Sequence, residues 1–214
     1  KLLGRKLPDW AGEIVATSGF FAILVAVLAS IAFSVGEGQK TAAPGVLWIS
    51  LTFAAVLALG RTWHREREES ALLGLLVSPL QRGAIFLGKM LGVLVFLFAI
   101  EAMVVPVTAL LFGVDLLVVG PGITLIALLA TPGIAASGTL FGVMTVRTRA
   151  RDLMLASVLF PLLSPTLLTA VAATRELLGG AAIGELTDFG VLLLAFDGLF
   201  VVGGLTLFGA LVEA

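Results

Sequence analysis

Two carboxylic acids lie within long apolar stretches of the chain. Glu101 falls in the run 84–112, and Asp197 falls in the run 189–212. Acidic side chains are costly to place in hydrocarbon, so they usually face a cavity or a partner group. Two interpretations stay open: the acids line an outward-facing cavity or lateral gate, or each makes a structural hydrogen bond to a neighbouring helix.

The sequence lacks the motifs that would make the chain an enzyme or an ATP-binding protein. It has no HExxH zinc pair, no GxSxG motif and no aspartate cluster for magnesium. The stretch 83–89 has the spacing of a phosphate-binding P-loop, but Met90 stands where Ser or Thr would bind magnesium. Lys89 is instead expected at the membrane interface. His64, the one histidine, lies among charged residues and is a poor metal or haem ligand by itself. We therefore predict no catalytic residue, no metal site and no directly bound cofactor.

The composition indicates an integral membrane protein. Of the 214 residues, 59% are hydrophobic and 13% are charged, whereas a soluble domain carries about 25% charged residues. The mean hydropathy is +1.16. The net charge of −1 gives no reason to expect a nucleic-acid partner. The absence of cysteine excludes disulfides and Cys-ligated metals within this sequence.

Six apolar stretches are long enough to cross a bilayer, which takes about 20 helical residues. We therefore predict an all-α fold and one transmembrane permease domain over residues 1–214. Prolines interrupt three stretches, and such breaks persist in lipid only where the freed carbonyls face protein or a wet cavity. We expect a kink in the third span, and either one helix or two half-helices in the fifth. The spans are 18–35, 44–60, 84–112, 122–146, 153–174 and 189–212, and the cavity or gate candidates are Glu101, Pro106, Pro132, Pro161, Pro165 and Asp197.

The distribution of basic residues predicts the orientation in the membrane. Of thirteen Lys and Arg residues, only Lys40 and Arg175 fall on one side, which leaves eleven on the other. Short cytoplasmic loops carry the excess of basic residues. Both termini and the segment 61–82 are thus predicted to be cytoplasmic, and the two acids within the spans to lie in the outer half of the membrane. The outer segment 174–188 is expected to be a flexible cap.

Two cytoplasmic segments have amphipathic patterns. Apolar residues recur every three or four positions through 1–14 and predict an interfacial helix on the membrane surface. The second span is expected to end at Gly60, where the charged segment 61–82 begins. An apolar stripe in that segment predicts a short helix before Pro79 that fits either the lipid surface or a groove on a partner. The residues expected to contact such a partner are Arg65, Glu66, Glu68, Glu69, Ser70, Leu72, Leu73 and Leu76.

Two further features concern packing. Trp63, with the arginines around it, is expected to form a basic and aromatic collar at the level of the lipid headgroups. Gly138 and Gly142 form a GxxxG motif, which permits close helix packing either within the subunit or across a dimer.

Short sequences, in a fixed order along nearly the whole chain, carry a resemblance to a known family. They are PGVLWI at 44–49, REREESAL at 65–72, SPL at 78–80, GK at 88–89, LLFGVD at 110–115, TPG at 131–133 with Gly138, and LFPL at 159–162 with Pro165. Their arrangement of an amphipathic N-terminus, two spans, a coupling segment and four more spans resembles the membrane subunit of an ABC-2 type exporter. More narrowly, it is similar to the haem exporter protein B family of cytochrome c maturation, CcmB.

The resemblance implies a non-catalytic, multi-pass permease subunit of an ABC transporter complex in the bacterial inner (plasma) membrane. It implies a role in haem export or haem-chaperone release during c-type cytochrome biogenesis. ATP would be hydrolysed on a separate, CcmA-like ABC ATPase that docks on the coupling helix between spans two and three, and haem would be handled by the complex. Other implied partners are CcmC- and CcmD-like haem-handling membrane subunits, a CcmE-like haem chaperone, a second permease subunit and membrane lipid.

Three other functions stay open on the residues alone. The chain would also suit the permease of a different ABC-2 exporter for lipid, drug or polysaccharide. A proton-coupled secondary transporter would use Glu101 and Asp197 as its relay. A structural membrane scaffold would need none of these residues for activity.

Overall fold

The computed structural model describes residues 9–33, 38–68, 81–145 and 151–213, with side chains described over 11–33, 38, 40–64, 81–143 and 160–211. These ranges contain six α-helices, one short 3-10 helix and no strand, which confirms the all-α class. The helices are α1 Asp9–Ala32, α2 Gly38–Glu68, α3 Arg82–Phe112, α4 Leu116–Thr145, α5 Arg151–Leu178 and α6 Thr187–Glu213, and the 3-10 helix Ile183–Leu186 precedes α6.

Five segments of the described chain are long and apolar enough to cross a membrane. They are Ala11–Ala32, Lys40–His64, Arg82–Phe112, Leu116–Val143 and Ile183–Leu211. They correspond to the first four predicted spans and the sixth. The predicted fifth span corresponds to α5, which is helical but is not among the five. A sixth membrane crossing therefore stays a prediction.

Helix α2 continues past the expected boundary. The second span was expected to end at Gly60, but the helix runs on to Glu68. That boundary is wrong because no proline follows Gly60 before residue 69, and the Arg and Glu residues there are good helix formers. Residues 69–80 lie outside the described part of the chain. The coupling helix and its contact residues therefore stay a prediction.

The first helix also begins earlier than expected. Helix α1 starts at Asp9, directly after Pro8, so that residues 9–14 continue into the first span rather than forming a separate surface helix. Ala11 and Ile14 of this segment are buried. The remainder of the predicted interfacial helix, residues 1–8, lies outside the described ranges.

Helix α5 is one helix over its full length, with Pro161 and Pro165 inside it. The alternative of two half-helices is therefore wrong. Each proline removes one backbone N–H, and hydroxyl groups in membrane helices can restore hydrogen bonding near such positions. Ser164 Oγ donates to the Phe160 carbonyl oxygen at 2.9 Å, and Thr169 Oγ1 donates to that of Pro165 at 2.8 Å.

The segment after α5 has a defined conformation rather than the expected flexible one. Gly180 has a φ of 98°, a left-handed conformation that suits glycine and turns the chain after the helix. The Ala182 N–H then donates to Glu185 Oε2 at 3.3 Å, at the start of the 3-10 helix. Leu186 is buried in the core, so this turn is packed onto the helices below it.

The apolar core of the described residues has two large clusters that lie one above the other along the helices, and a third, small cluster around Phe112. One large cluster contains Trp63 and is called the Trp63 cluster; the other contains Trp48 and is called the Trp48 cluster. Helix α4 contributes to both and packs against α2, α3, α5 and α6. On three helices the boundary between the clusters falls within a few residues. The Trp63 cluster ends at Leu97 on α3, Ile134 on α4 and Phe200 on α6, and the Trp48 cluster ends at Ile100, Ala130 and Leu193 on the same helices.

Candidate functional site

Four helices each place a buried polar side chain at the boundary between the two apolar clusters. They are Glu101 on α3, Thr131 on α4, Thr166 on α5 and Asp197 on α6, none more than 8% exposed. With a rise of about 1.5 Å per residue, each lies within about 6 Å of the midpoint of its own helix. These four residues are called the polar waist. Both acids predicted from the sequence belong to it.

Glu101 is held by a neighbouring helix. Thr131 Oγ1 on α4 donates a hydrogen bond to Glu101 Oε1 on α3, and both side chains are buried. A buried carboxyl group without a donor would lose its hydration with nothing in return. The sequence shows Thr131 only as a member of a proline-containing break. The need of a buried acid for a donor on an adjacent span was the signal that could have identified it as a partner.

Asp197 lies against the backbone of α4 at Gly133. A Cβ atom added to Gly133 would lie 2.4 Å from Asp197 Oδ1 and 3.8 Å from Asp197 Cα. Only glycine leaves room for the carboxyl group at this crossing of α4 and α6. Asp197 Oδ1 and the Thr166 hydroxyl have no hydrogen-bond partner among the described residues. The polar waist therefore contains unsatisfied groups as well as satisfied ones.

The two acids approach α4 from different sides. Thr131 and Gly133 are two residues apart, which is a rotation of about 200° around an α-helix. Glu101 contacts the first and Asp197 the second, so the α4 backbone lies between the carboxyl groups. This geometry does not favour direct proton transfer between Glu101 and Asp197.

Glu101 also borders a cleft between α3 and α4. The cleft has a volume of about 360 Å³, and Glu101 is the only charged residue among the described residues that line it. Pro106 and Ala102 line it on the α3 side and Ile123 and Ala127 on the α4 side, so the walls are apolar. The structure thus gives Glu101 both features considered from the sequence, a hydrogen bond to another helix and a cavity. Its role in function stays a prediction.

The other gate candidates are dispersed. Pro132 is half-buried between Thr131 and Gly133, within the waist segment of α4. Pro161 and Pro165 are exposed on α5 and do not line the cleft. Glu101 and Pro106 therefore share the cleft, and Pro132 and Pro165 each adjoin a threonine of the polar waist, whereas Pro161 does neither.

A second buried contact joins α2 to α5 in the Trp48 cluster. Trp48 Nε1 donates to Thr174 Oγ1 at 2.9 Å, and Thr174 Oγ1 donates to the Ala170 carbonyl oxygen at 2.7 Å. Trp48 is 1% exposed. Sequence reasoning missed this bond, because an indole at a span position can face lipid or protein equally well.

Trp63 packs between helices at the other end of α2. A Cβ atom added to Gly142 would lie 1.8 Å from Trp63 Nε1, so the indole fills the hollow left by that glycine. Trp63 is 3% exposed, and the expectation of a headgroup collar is wrong for this residue because α4 covers it. Lys89 Nζ on α3 lies 5.5 Å from the centroid of the Trp63 ring, within the range of a cation–π contact. Trp63, Lys89 and Gly142 are called the Trp63 joint.

The GxxxG motif on α4 packs within the chain. Gly138 lies beneath Leu59, because a Cβ atom there would be 2.4 Å from Leu59 Cδ1. Gly142 takes the Trp63 ring one turn further along. Packing within the subunit, one of the two possibilities for this motif, is therefore confirmed.

The predicted coupling residues cannot be placed to the same detail. Arg65, Glu66 and Glu68 belong to the last turns of α2, and their side chains lie outside the described set. Glu69, Ser70, Leu72, Leu73 and Leu76 fall in the undescribed range 69–80. Within the described residues no group of three or more His, Cys, Asp or Glu side chains could hold a metal ion.

Comparison with known proteins identifies the family. The family model described as "CcmB protein" matches residues 6–208. Heme exporter protein B of Pseudomonas aeruginosa is 26% identical over 180 residues, which cover 84% of this chain and 78% of the relative. Heme exporter protein B of Paracoccus denitrificans is 30% identical over 167 residues, which cover 75% and 74%. With a match across most of its length, the chain belongs to the CcmB family.

Proposed function

We propose that this chain is the membrane permease subunit of an ABC transporter complex for haem export or haem-chaperone release in c-type cytochrome biogenesis. The observation that carries the proposal is the family match over residues 6–208, and the names of the two relatives support it. The complex would lie in the bacterial plasma membrane, with both chain termini and the segment 61–82 on the cytoplasmic side. A partner subunit would hydrolyse the ATP.

The continuity of α2 supports a route for mechanical coupling. The helix runs from Gly38 to Glu68 and so includes the first residues of the predicted coupling segment 61–82. Because Trp63 fills the hollow at Gly142, a tilt of this end of α2 would push on α4. Thr131 lies eleven residues from Gly142, about 16 Å along the same helix. ATP-driven movement of the coupling segment would thereby reach the donor that holds Glu101.

The residue content favours release of a haem chaperone over ligation of haem iron by this subunit. The chain has no Cys and no Tyr, and its single His64 is at the end of α2 that leads to the coupling segment. Histidine, cysteine and tyrosine are common axial ligands of haem iron in proteins. We propose that haem ligands come from partner subunits of the complex and that this chain contributes movement.

The ATPase contact can be tested by reversing the charges of the last residue of α2 and of the residue that follows it in the sequence. We expect the double variant Glu68→Lys and Glu69→Lys to insert in the membrane but to lose its ATPase partner, because helix-in-groove docking depends on complementary charge. The measurement is the amount of ATPase that co-purifies with the tagged permease. Glu13→Lys, an exposed acid on α1 predicted on the same side, is the matched control. Full recovery of an active ATPase with the double variant would contradict the docking proposal.

A further inference from the structure

The ends of four helices surround a basin on the side opposite the coupling segment. The basin has a volume of about 450 Å³ and lies where α2 begins, α3 ends, α4 begins and α5 ends. Lys40 and Arg175 both line it. Lys40 reaches over the turn between α3 and α4, where its Cε would lie 4.0 Å from a Cβ atom on Gly113. We call this cavity the outer basin.

The charges of the outer basin favour an anion. Lys40 and Arg175 are the two basic residues of thirteen that fall on this side of the chain, and both line the same cavity. Neither makes an ion pair with another described residue. Asp115 also lines the basin, but its Oδ1 accepts the Leu117 N–H at 2.9 Å at the start of α4, where the helix dipole favours an anionic side chain. Among the described lining residues, two basic side chains are thus available to bind an anion, and the one carboxylate is hydrogen-bonded to the start of α4.

The remaining wall of the outer basin is apolar and opens toward lipid. Pro44, Val118 and Leu178 line it, and Val118 is 74% exposed beside Leu117, which is 94% exposed. Exposed aliphatic side chains at the end of a membrane helix face acyl chains or headgroups rather than bulk water. A ligand with one anionic group and an apolar body matches both parts of this surface, whereas a small soluble anion matches only the cations.

The basin is closed toward the interior. A cavity of only about 20 Å³ lies further inward between α2, α3 and α5, and it shares Pro44, Val114 and Leu178 with the basin. That volume is close to the space taken by one water molecule. A ligand in the outer basin therefore does not pass through this cavity toward the Glu101 cleft, and its apolar part must lie along the exposed face of α4.

We propose that the outer basin binds the phosphate headgroup of an anionic phospholipid, with Lys40 and Arg175 on the phosphate and the acyl chains along Leu117 and Val118. The bound lipid would hold the ends of α2, α4 and α5 together at the surface of the membrane.

The test is native mass spectrometry of the full chain extracted from bilayers of equal parts phosphatidylglycerol and phosphatidylcholine. We expect phosphatidylglycerol to be retained in preference to phosphatidylcholine. Lys40→Gln and Arg175→Gln should each weaken this retention about fivefold, since each basic residue contributes a similar amount to anionic-lipid binding. Glu176→Gln, next to Arg175 and exposed but outside the basin lining, should leave it unchanged. Lys40→Arg should also leave it unchanged, which separates loss of charge from loss of fold.

Three outcomes would overturn the proposal. Equal retention of the two lipids would remove the anionic selectivity. Equal losses of phosphatidylglycerol retention in Lys40→Gln and Glu176→Gln would show that the lipid does not bind specifically in the basin. Complete displacement of phosphatidylglycerol by millimolar inorganic phosphate would show a site for the free anion instead of the lipid.

Discussion

The hydrogen bond from Thr131 to Glu101 links the position of the Glu101 carboxyl group to helix α4. A carboxyl group in an apolar layer is tolerated when a donor replaces the water it has lost. Thr131 supplies that donor from α4, so the position of Glu101 depends on the position of α4. Movement of that helix is therefore expected to displace the donor of the Glu101 carboxyl group.

Removal of the Thr131 hydroxyl should destabilise the protein. Thr131→Val keeps the shape of the side chain but leaves the buried Glu101 unpaired, at an expected cost of about 1–3 kcal/mol. Thr124→Val is the control, because Thr124 is exposed and its hydroxyl bonds only its own helix, at the Gly120 carbonyl oxygen. Thermal unfolding of the two purified variants in detergent measures the difference. Similar unfolding temperatures for both would show that the Glu101 bond contributes little.

The crossing at Gly133 should not accept a side chain. Gly133→Ala would bring a methyl group against Asp197 Oδ1, and overpacking of this kind costs about 1–3 kcal/mol. At Gly198 on α6 an added Cβ atom meets nothing within 4 Å, so Gly198→Ala should be neutral or stabilising through its better helix propensity. The amounts of folded protein after detergent extraction and heating compare the two. A well-folded Gly133→Ala variant would contradict the close approach of Asp197 to α4.

At the scale of elements, the Trp63 joint is one of the contacts between α2 and α4, and we propose that movement of α2 reaches α4 through it. A Cβ atom at Gly142 would overlap the Trp63 ring, whereas a Cβ atom at Gly88 on α3 meets open space. We expect Gly142→Ala to reduce both stability and activity, and Gly88→Ala to preserve them. In a double-mutant cycle, Trp63→Leu should relieve part of the Gly142→Ala defect, with an interaction energy of at least about 0.5 kcal/mol. Strictly additive effects would mean that the two residues do not meet.

Helix bounds could be predicted from the sequence where a chemical signal ends the helix. The expected third span 84–112 differs from α3 by two residues at its start and ends at the same residue. The end of this helix could be predicted because Gly113 follows it, and that glycine adopts a φ of 65° as the helix C-cap. The end of α2 was not readable, because Gly60 resembles a break but lies inside a continuous helix.

The partners of the buried residues could not be predicted in the same way. A span that faces lipid on one side and protein on the other is apolar all round, so hydrophobic periodicity does not mark its inner face. Trp63 illustrates the ambiguity, since an indole near a span end suits a headgroup layer as well as a hollow on α4. The acids of the polar waist were identified from their cost in hydrocarbon, but the choice of Thr131 and Gly133 as their contacts required the packed helices.

At the scale of the whole molecule, two apolar clusters are joined by α4 and separated by the polar waist. The Trp63 cluster lies toward the coupling segment, and the Trp48 cluster lies toward the outer basin. Helices α3, α4 and α6 run through both clusters, so the layers cannot slide past one another without a movement of whole helices. We expect tilting of these helices, driven by the proposed partner ATPase, to change the contacts within the polar waist.

The most direct test of the account is the covalent haem content of c-type cytochromes in a strain that lacks the gene for this chain. We predict that haem-stained c-type cytochromes fall to background in the deletion strain, while b-type cytochromes, which hold haem without a covalent bond, remain. Expression of the intact chain should restore the c-type signal, and expression of Gly142→Ala should restore less of it than Gly88→Ala. Normal covalent haem in the deletion strain would contradict the role in cytochrome c biogenesis.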